Sequence, residues 1–376
     1  MKTKFLYLIL LFHCFIYSCE RADSVSGVLK SSIESVFIPL HVTHSNSYQI
    51  IHSYHEEGVN KLITYNDIVH GLIFFDLDAA KVLADTPLEV DGPNAIGKIN
   101  SLYFHNSDSI FLYERGKLHI ANSEGHLVDS FNLFELFDVE KVGEPNLNFY
   151  FKLIYNSVSK TVLFNLTQHF STAKGKGDDS KIAALYINTK KVRLLPIRHT
   201  DYFKTIDGRT GYLSYIGFQD YFNGEVLYNF QYESSLYLHN LEKGKTKSAS
   251  GTLSEKPSYV QPIAATDDPE IFEKHALENT HYLAVIPDKW RGLVYRFNWL
   301  SPNPAFENGS WTEKSTSISI FDKDLKFLEE YTLPDHTYQI NNWFVNENGL
   351  YLDFAHPKNE HQKEDFLTFH IINFEK

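Results

Sequence analysis

The chain has 376 residues, of which 43% are apolar and 22% are charged. This composition is typical of a folded protein and too apolar for an intrinsically disordered one. The formal net charge of −12 argues against general nucleic-acid binding, because an acidic surface repels the phosphate backbone. Tyr and Phe supply most of the 15% aromatic content, and they favour strands, so an all-β fold is expected.

The N-terminus has the pattern of a bacterial signal peptide. Lys2 and Lys4 precede an apolar run, residues 5–16, which is short for a transmembrane helix and typical of a signal-peptide core. Residues 16–19 resemble a lipobox, so we expect Cys19 to be lipidated after cleavage. The alternatives are a plain secretory peptide and an uncleaved anchor. Loss of the two lysines leaves 33 basic and 47 acidic residues, a net charge of −14.

The predicted organisation has three segments. They are a lipoprotein signal peptide (residues 1–18), a flexible Ser-rich tether from the lipidated Cys19 (residues 19–34) and one propeller domain (residues 35–376). Two or more acyl chains hold a protein stably on a membrane. We therefore expect an exported protein, anchored by lipid at the outer membrane or the cell surface, with the leaflet left open.

A five-residue pattern recurs six times along the rest of the chain. Each copy is an alternating apolar strand that ends in Asp or Asn, whose side chains bond nearby backbone and suit a turn. The copies are residues 72–76, 118–122, 184–188, 236–240, 318–322 and 369–373. Two strand candidates precede each copy and one follows each of the first five, which gives units of four strands. Such repeated units are typical of a β-propeller.

The last unit lacks its fourth strand, and an unassigned apolar segment, residues 35–42, precedes the first unit. We therefore predict a six-bladed β-propeller with four antiparallel strands per blade, in which the N-terminal strand closes the last blade. The alternative is a β-sandwich followed by a second β domain, since short strands at regular spacing also fit it. One helix is predicted, at residues 269–278, with acidic residues early and Lys274 and His275 later.

Two segments carry a family resemblance, residues 287–297 (PDKWRGLVYRF) and residues 348–352 (NGLYL). With the lipobox and the six predicted blades, the chain resembles the TolB-like six-bladed propeller lipoproteins of Bacteroidetes, most of which belong to families of unknown function. The resemblance covers roughly residues 30–376. It implies a fold and an envelope location, and it implies no reaction.

The main ligand-binding candidates stand in or beside an inner strand of the fifth unit. They are Asp288, Arg291, Tyr295 and Arg296. An aromatic ring next to Arg can offer a stacking face and a planar donor fork to a carboxylate or a sugar. The alternative is a structural role, with Arg bonded to strand carbonyls or in an ion pair between blades.

Two more candidates lie elsewhere. Trp343, in the inner strand of the sixth unit, is placed to line the channel mouth, and blade packing is the alternative. Arg209 stands between two glycines in the loop 207–211, where the chain can approach a ligand closely, and a simple hairpin turn is the alternative.

We predict no catalytic residues, metal or cofactor. His41 and His44, like His52 and His55, are three residues apart in predicted strands and so point to opposite faces. No nucleophile elbow, P-loop or dinucleotide fingerprint is present. Without a mature Cys other than Cys19, thiol catalysis is excluded.

The first functional hypothesis is a non-catalytic binding or scaffold propeller, monomeric, that holds an envelope protein, a glycan or a small ligand. The alternative is a carbohydrate-active hydrolase or lyase on the same fold. Paired carboxylates at one channel mouth would favour the enzyme. A mouth lined by aromatic rings and Arg would favour binding.

Overall fold

The structure, a computed structural model, describes residues 29–148, 151–167, 181–212, 224–251, 259–264, 268–301 and 314–375, and the backbone of residues 216–222. The signal peptide and Cys19 lie outside these residues. In the described part of the chain the strands form six antiparallel sheets, which are the blades.

The blades follow one another along the chain, and each is built from consecutive strands. Blade 1 is β2 (Ile51–Glu56), β3 (Val59–Asn66), β4 (Gly71–Asp76) and β5 (Lys81–Pro87). Blade 2 is β6 (Ser101–Asn106), β7 (Ser109–Glu114), β8 (Lys117–Ala121) and β9 (Leu127–Asn132). Blade 3 is β10 (Glu144–Asn146), β11 (Ile154–Asn156), β12 (Thr161–Thr167), β13 (Ile182–Tyr186) and β14 (Lys191–Leu194).

The second half of the chain repeats this order. Blade 4 is β15 (Ile216–Phe222), β16 (Glu225–Phe230), β17 (Leu236–Asn240) and β18 (Lys245–Ala249). Blade 5 is β19 (His281–Asp288), β20 (Leu293–Trp299), β21 (Thr316–Asp322) and β22 (Phe327–Thr332). Blade 6 is β23 (Gln339–Asn346), β24 (Gly349–Asp353), β25 (Phe366–Glu375) and the N-terminal strand β1 (Lys30–Pro39).

The first strands of the blades form a closed ring. Contacts run from β2 to β6, from β6 to β11, from β11 to β15, from β15 to β19, from β19 to β23 and from β23 back to β2. The predicted six-bladed propeller is therefore confirmed, and the sandwich alternative is wrong. The ring makes these strands the walls of a central channel, and it places blade 3 opposite blade 6.

The N-terminal strand closes the ring as predicted. β1 pairs antiparallel with β25 over ten residues, from Lys30 opposite Glu375 to Pro39 opposite Phe366. It begins five residues before the predicted segment, so the predicted tether is wrong for residues 30–34. The reason is exposure: an outermost strand faces water and needs no continuous apolar pattern. Eight of the ten residues are exposed, and only Ile38 is buried.

The blades pack on each other through apolar side chains of their strands. One core, for example, joins Phe111 of blade 2, Phe164 of blade 3 and Phe230 of blade 4. The aromatic content noted in the sequence therefore fills the seams between blades, where large rings bury the most area.

The two ends of the propeller differ. The hairpin face carries the short turns that join first to second strands, such as residues 57–58 and 107–108. The loop face carries the connections between blades, some of them long, such as residues 88–100. Short helices lie in these connections: α1 (Leu133–Leu136), α2 (Val139–Val142), α3 (Asp201–Thr205) and α4 (Pro269–Glu278). The last confirms the predicted helix, and the Asp268 side chain caps it by accepting from the Glu270 N–H.

Blade 3 departs from the pattern. Its inner edge is split, because β10 and β11 both pair with β12, at residues 165–167 and 161–163. Between the two short strands, the described residues 147–148 and 151–153 belong to no strand. One of the two strand candidates predicted before the third copy covers residues 149–155, and only its end, from residue 154, is a strand. Pro145 and the asparagines 146 and 148 favour such an interruption.

Candidate functional site

The predicted cluster in blade 5 is brought together, but as a buried link between blades. Asp288 is fully buried and accepts from Arg291 Nη1 at 3.0 Å and from the Tyr295 hydroxyl at 2.8 Å. Burial and the adjacent carboxylate raise the pKa of Tyr295. Arg291 also donates to three oxygens of blade 6, which belong to Asn346, Glu347 and Asn373. This arrangement matches the structural alternative of an Arg bonded to backbone carbonyls, since the ion pair with Asp288 lies within blade 5 and the contacts to blade 6 are hydrogen bonds.

Arg296 is separated from that cluster, since neighbouring residues of a strand point to opposite faces. It is fully buried and donates to Asn298 Oδ1 at 2.9 Å and to the carbonyl oxygens of Ser234 and Gly251. Its guanidinium lies 4.6 Å from the ring centroid of Tyr282. Burial lowers the pKa of Arg296 to about 10, so it stays charged at neutral pH. It therefore fastens blade 5 to blade 4.

Arg209 lies in the turn after α3, on the loop face. Its Nε donates to the Ile206 carbonyl oxygen at 3.0 Å, and its own carbonyl accepts from the Ile263 N–H at 2.9 Å. The first bond is that of a local turn, as in the alternative to a ligand contact, and the second ties this turn to the connection between blades 4 and 5.

Trp343, in the inner strand β23, is 8% exposed and packs in the apolar core between blades 5 and 6, as in the blade-packing alternative. It also meets a residue that the sequence analysis missed. Lys152, from the loop that splits blade 3, donates from Nζ to the Trp343 carbonyl oxygen at 2.6 Å. The same ammonium lies 4.0 Å from the centroid of the Trp343 ring, a cation–π contact. Because blades 3 and 6 face each other across the ring, the Lys152 side chain crosses the channel.

His52 and Tyr103 complete this channel cluster, which we define as His52, Tyr103, Lys152 and Trp343. The rings of His52 and Tyr103 are 4.3 Å apart between centroids and tilted by 46°. The Phe104 N–H donates to His52 Nδ1 at 3.3 Å. His52, Tyr103 and Lys152 are half-buried and belong to the inner edges of their blades.

Burial and the charge of Lys152 shift the pKa values of the two titratable groups in the channel cluster, Lys152 and His52. Burial lowers the pKa of Lys152 to about 7. Burial, with the nearby Lys152 charge, lowers the pKa of His52 to about 3, so the imidazole is neutral near pH 7. The channel therefore holds a desolvated amine beside a neutral imidazole and two aromatic rings.

The family follows from the sequence match. Residues 23–332 match the family described as a domain of unknown function, DUF4221. This chain belongs to the DUF4221 family. A solved DUF4221 protein from Bacteroides vulgatus is similar in structure, with a TM-score of 0.80 and 17% identity over 93% of this chain and 98% of that one. No curated protein matches the chain.

A second solved structure is similar over nearly its whole length. It is a protein described as exported, from Bacteroides fragilis, with a TM-score of 0.58 and 10% identity over 94% of this chain and 97% of that one. At these sequence identities, the similarity of the two solved structures to this chain shows a shared fold alone.

Carboxylates are buried elsewhere in the DUF4221 fold. Asp353 is 1% exposed and accepts from the Ser47 hydroxyl at 2.5 Å and from Asn342 Nδ2 at 2.8 Å. Burial raises the pKa of Asp353 to about 7, a value that suits a general acid. However, a side chain sealed in the seam between blades 6 and 1 offers no path to a substrate. Among the described residues, the channel cluster contains no carboxylate.

The described residues hold no group of three or more His, Cys, Asp or Glu side chains suited to a metal ion, and this includes the two histidine pairs. His41 and His44 follow β1 in a turn, so their predicted strand is wrong, and His44 Nε2 lies 2.9 Å from Asp85 Oδ1. His52 and His55 lie in β2 as predicted. No described helix is long and apolar enough to span a membrane.

Proposed function

We propose that this DUF4221 protein is a non-catalytic binding module of the cell envelope that holds a small ligand in its central channel. The observation that supports this most is the split inner edge of blade 3, which sends Lys152 across the channel to Trp343. Interrupting an inner strand gives up ladder hydrogen bonds. A feature of that kind is more often retained for binding than for stability.

Envelope location is part of the proposal. The similar Bacteroides fragilis protein is described as exported. Ten residues separate Cys19 from Lys30, and such a segment spans at most about 40 Å. β1 begins on the hairpin face, so a lipid on Cys19 would hold this face toward the membrane and the loop face away from it. Metabolic labelling with a palmitate analogue tests this, with Cys19→Ala as the variant that should lose the label.

Binding is tested by thermal shift on residues 20–376, since a ligand that binds only the folded state raises the melting temperature. The probes are millimolar succinate, benzoate, benzamide and N-acetylglucosamine. Ala284 is a half-buried residue of the inner strand β19 and packs beside the core that holds Trp343, so Ala284→Trp should crowd the channel wall there and abolish a shift. Val158 is 92% exposed in a turn of the hairpin face, and Val158→Trp is the matched control.

We expect at least one probe to stabilise the wild type and the Val158→Trp variant but not the Ala284→Trp variant. If no probe shifts the melting temperature, or if every shift survives Ala284→Trp, the channel is not the binding site and the proposal is wrong.

A further inference from the structure

We infer, on the basis of the proposed function, that the channel ligand is a small organic carboxylate, held by Lys152 and His52 and packed on the rings of Tyr103 and Trp343. The inference concerns the charge and the shape of the ligand, which the proposed function leaves open. Three observations carry it: the acceptors available to Lys152, the tautomer of His52, and the aromatic walls beside them.

Lys152 has more donors than the protein uses. An ammonium group carries three N–H donors, and among the described residues only the Trp343 carbonyl oxygen accepts one. No described carboxylate pairs with it. Buried charges are ordinarily paired, because desolvation without compensation is costly. The two remaining donors therefore suit an anionic acceptor supplied from the channel.

Lys314 shows how this protein treats a buried lysine that has a structural role. Its Nζ donates to two carbonyl oxygens at the C-terminal end of α4, those of Ala276 at 2.9 Å and Asn279 at 2.5 Å. Burial lowers the pKa of Lys314 to about 7, as it does for Lys152. The two lysines are alike in desolvation and differ in the acceptors around them. Lys314 has two carbonyl acceptors and Lys152 has one, so the lysine in the channel is the less completely coordinated of the two.

His52 adds a second donor. Because the Phe104 N–H donates to Nδ1, this nitrogen must carry the lone pair, and the neutral ring holds its proton on Nε2. Among the described residues Nε2–H has no protein acceptor. The channel thus presents one ammonium and one imidazole N–H. A carboxylate has two acceptor oxygens, which matches these two donors in number and in charge.

The aromatic walls indicate an organic ligand. The Tyr103 ring lies against His52, and the Trp343 ring lies under the Lys152 ammonium. Apolar rings beside the two donors favour a ligand with a carbon skeleton over an inorganic anion.

The test is a comparison of benzoate with benzamide, which share a ring and differ in charge. Binding is measured by calorimetry and thermal shift on residues 20–376 at constant ionic strength. We expect benzoate to bind and benzamide to bind at least about tenfold more weakly. Lys152→Met should weaken benzoate binding at least about tenfold, while Lys152→Arg, which keeps the charge, should retain part of it.

Lys98→Met is the matched control, because Lys98 carries the same charge before β6 and its side chain is 73% exposed. It should bind benzoate as the wild type does. The melting temperature of each variant without ligand separates lost binding from lost folding.

The outcomes distinguish the two proposals. If N-acetylglucosamine or benzamide binds in the channel, as judged by Ala284→Trp, and carboxylates do not, this inference is overturned while the proposed function stands. Equal binding of benzoate to Lys152→Met and wild type also overturns it. If no probe binds at all, both proposals fall.

Discussion

Two desolvated cations of this protein, Arg296 in the seam between blades 4 and 5 and Lys152 in the channel, have opposite surroundings. Arg296 donates to two backbone carbonyls and to the side-chain oxygens of Asn298 and Ser319. Lys152 has one described acceptor, the Trp343 carbonyl. Burial alone therefore does not mark a ligand site. The difference lies in how many acceptors the fold supplies: Arg296 has four and holds blades together, and Lys152 has one and is the cation that we propose meets a ligand.

The largest expected effect is the loss of Arg296. Arg296→Met should lower the free energy of unfolding by roughly 3–5 kcal/mol, because it leaves the carbonyl oxygens of Ser234 and Gly251 buried and unpaired. Urea denaturation of residues 20–376 measures the change. Arg193→Met, on the exposed outer strand β14, is the control and should change the stability by less than about 0.5 kcal/mol. Equal midpoints for the two variants would contradict the structural role of Arg296.

A smaller loss of stability is expected from a change at Gly251, whose carbonyl oxygen accepts from Arg296 in the seam between blades 4 and 5. A Cβ on Gly251 would collide with the Ser234 carbonyl oxygen and the Arg296 guanidinium. Gly251→Ala should therefore cost about 2 kcal/mol or more, since overpacking of this kind forces backbone shifts. The control is Gly244→Ala, where a Cβ meets open space and only the φ of +62° is strained, at about 1 kcal/mol. Urea denaturation measures both changes. If Gly251→Ala lowers the free energy of unfolding less than Gly244→Ala does, the packing around Arg296 is looser than the structure indicates.

The same contrast explains what sequence reasoning could and could not reach. Alternating strands that end in Asp or Asn are local signals, and they were sufficient for the blades and for closure by β1. Arg296 was selected as a ligand contact because its neighbours in the sequence include Tyr295 and Arg291. Arg291 bonds to blade 6 and Arg296 bonds to blade 4. Which blade each side chain meets depends on how the blades pack, and no local sequence pattern shows this.

Lys152 was missed for the complementary reason. It stands in an aromatic stretch that reads as a continuous strand, and its position at the channel depends on a strand interruption and on a partner 191 residues away. The interruption had a signal in Pro145 and the asparagines that follow it. The contact with Trp343 had no local signal in the sequence, because blade 6 lies across from blade 3 only in the closed ring.

The smallest expected effect on stability belongs to Lys152, and its sign is opposite to that of Arg296. The pKa of Lys152 is lowered from 10.5 to about 7 in the folded protein, so folding disfavours its charged form. This cost is absent above pH 10.5, grows as the pH falls toward 7, and is constant below that. Lys152→Met should therefore match the wild type near pH 10.5 and become the more stable protein at pH 7. Because the side chain is half-buried, solvent screens part of its charge, and we expect a gain of only about 1 kcal/mol. Urea midpoints of the two proteins across this pH range measure it. A Lys152→Met variant that is less stable than the wild type at pH 7 would mean that the ammonium stabilises the fold, as Arg296 does, and the contrast between seam and channel would be lost.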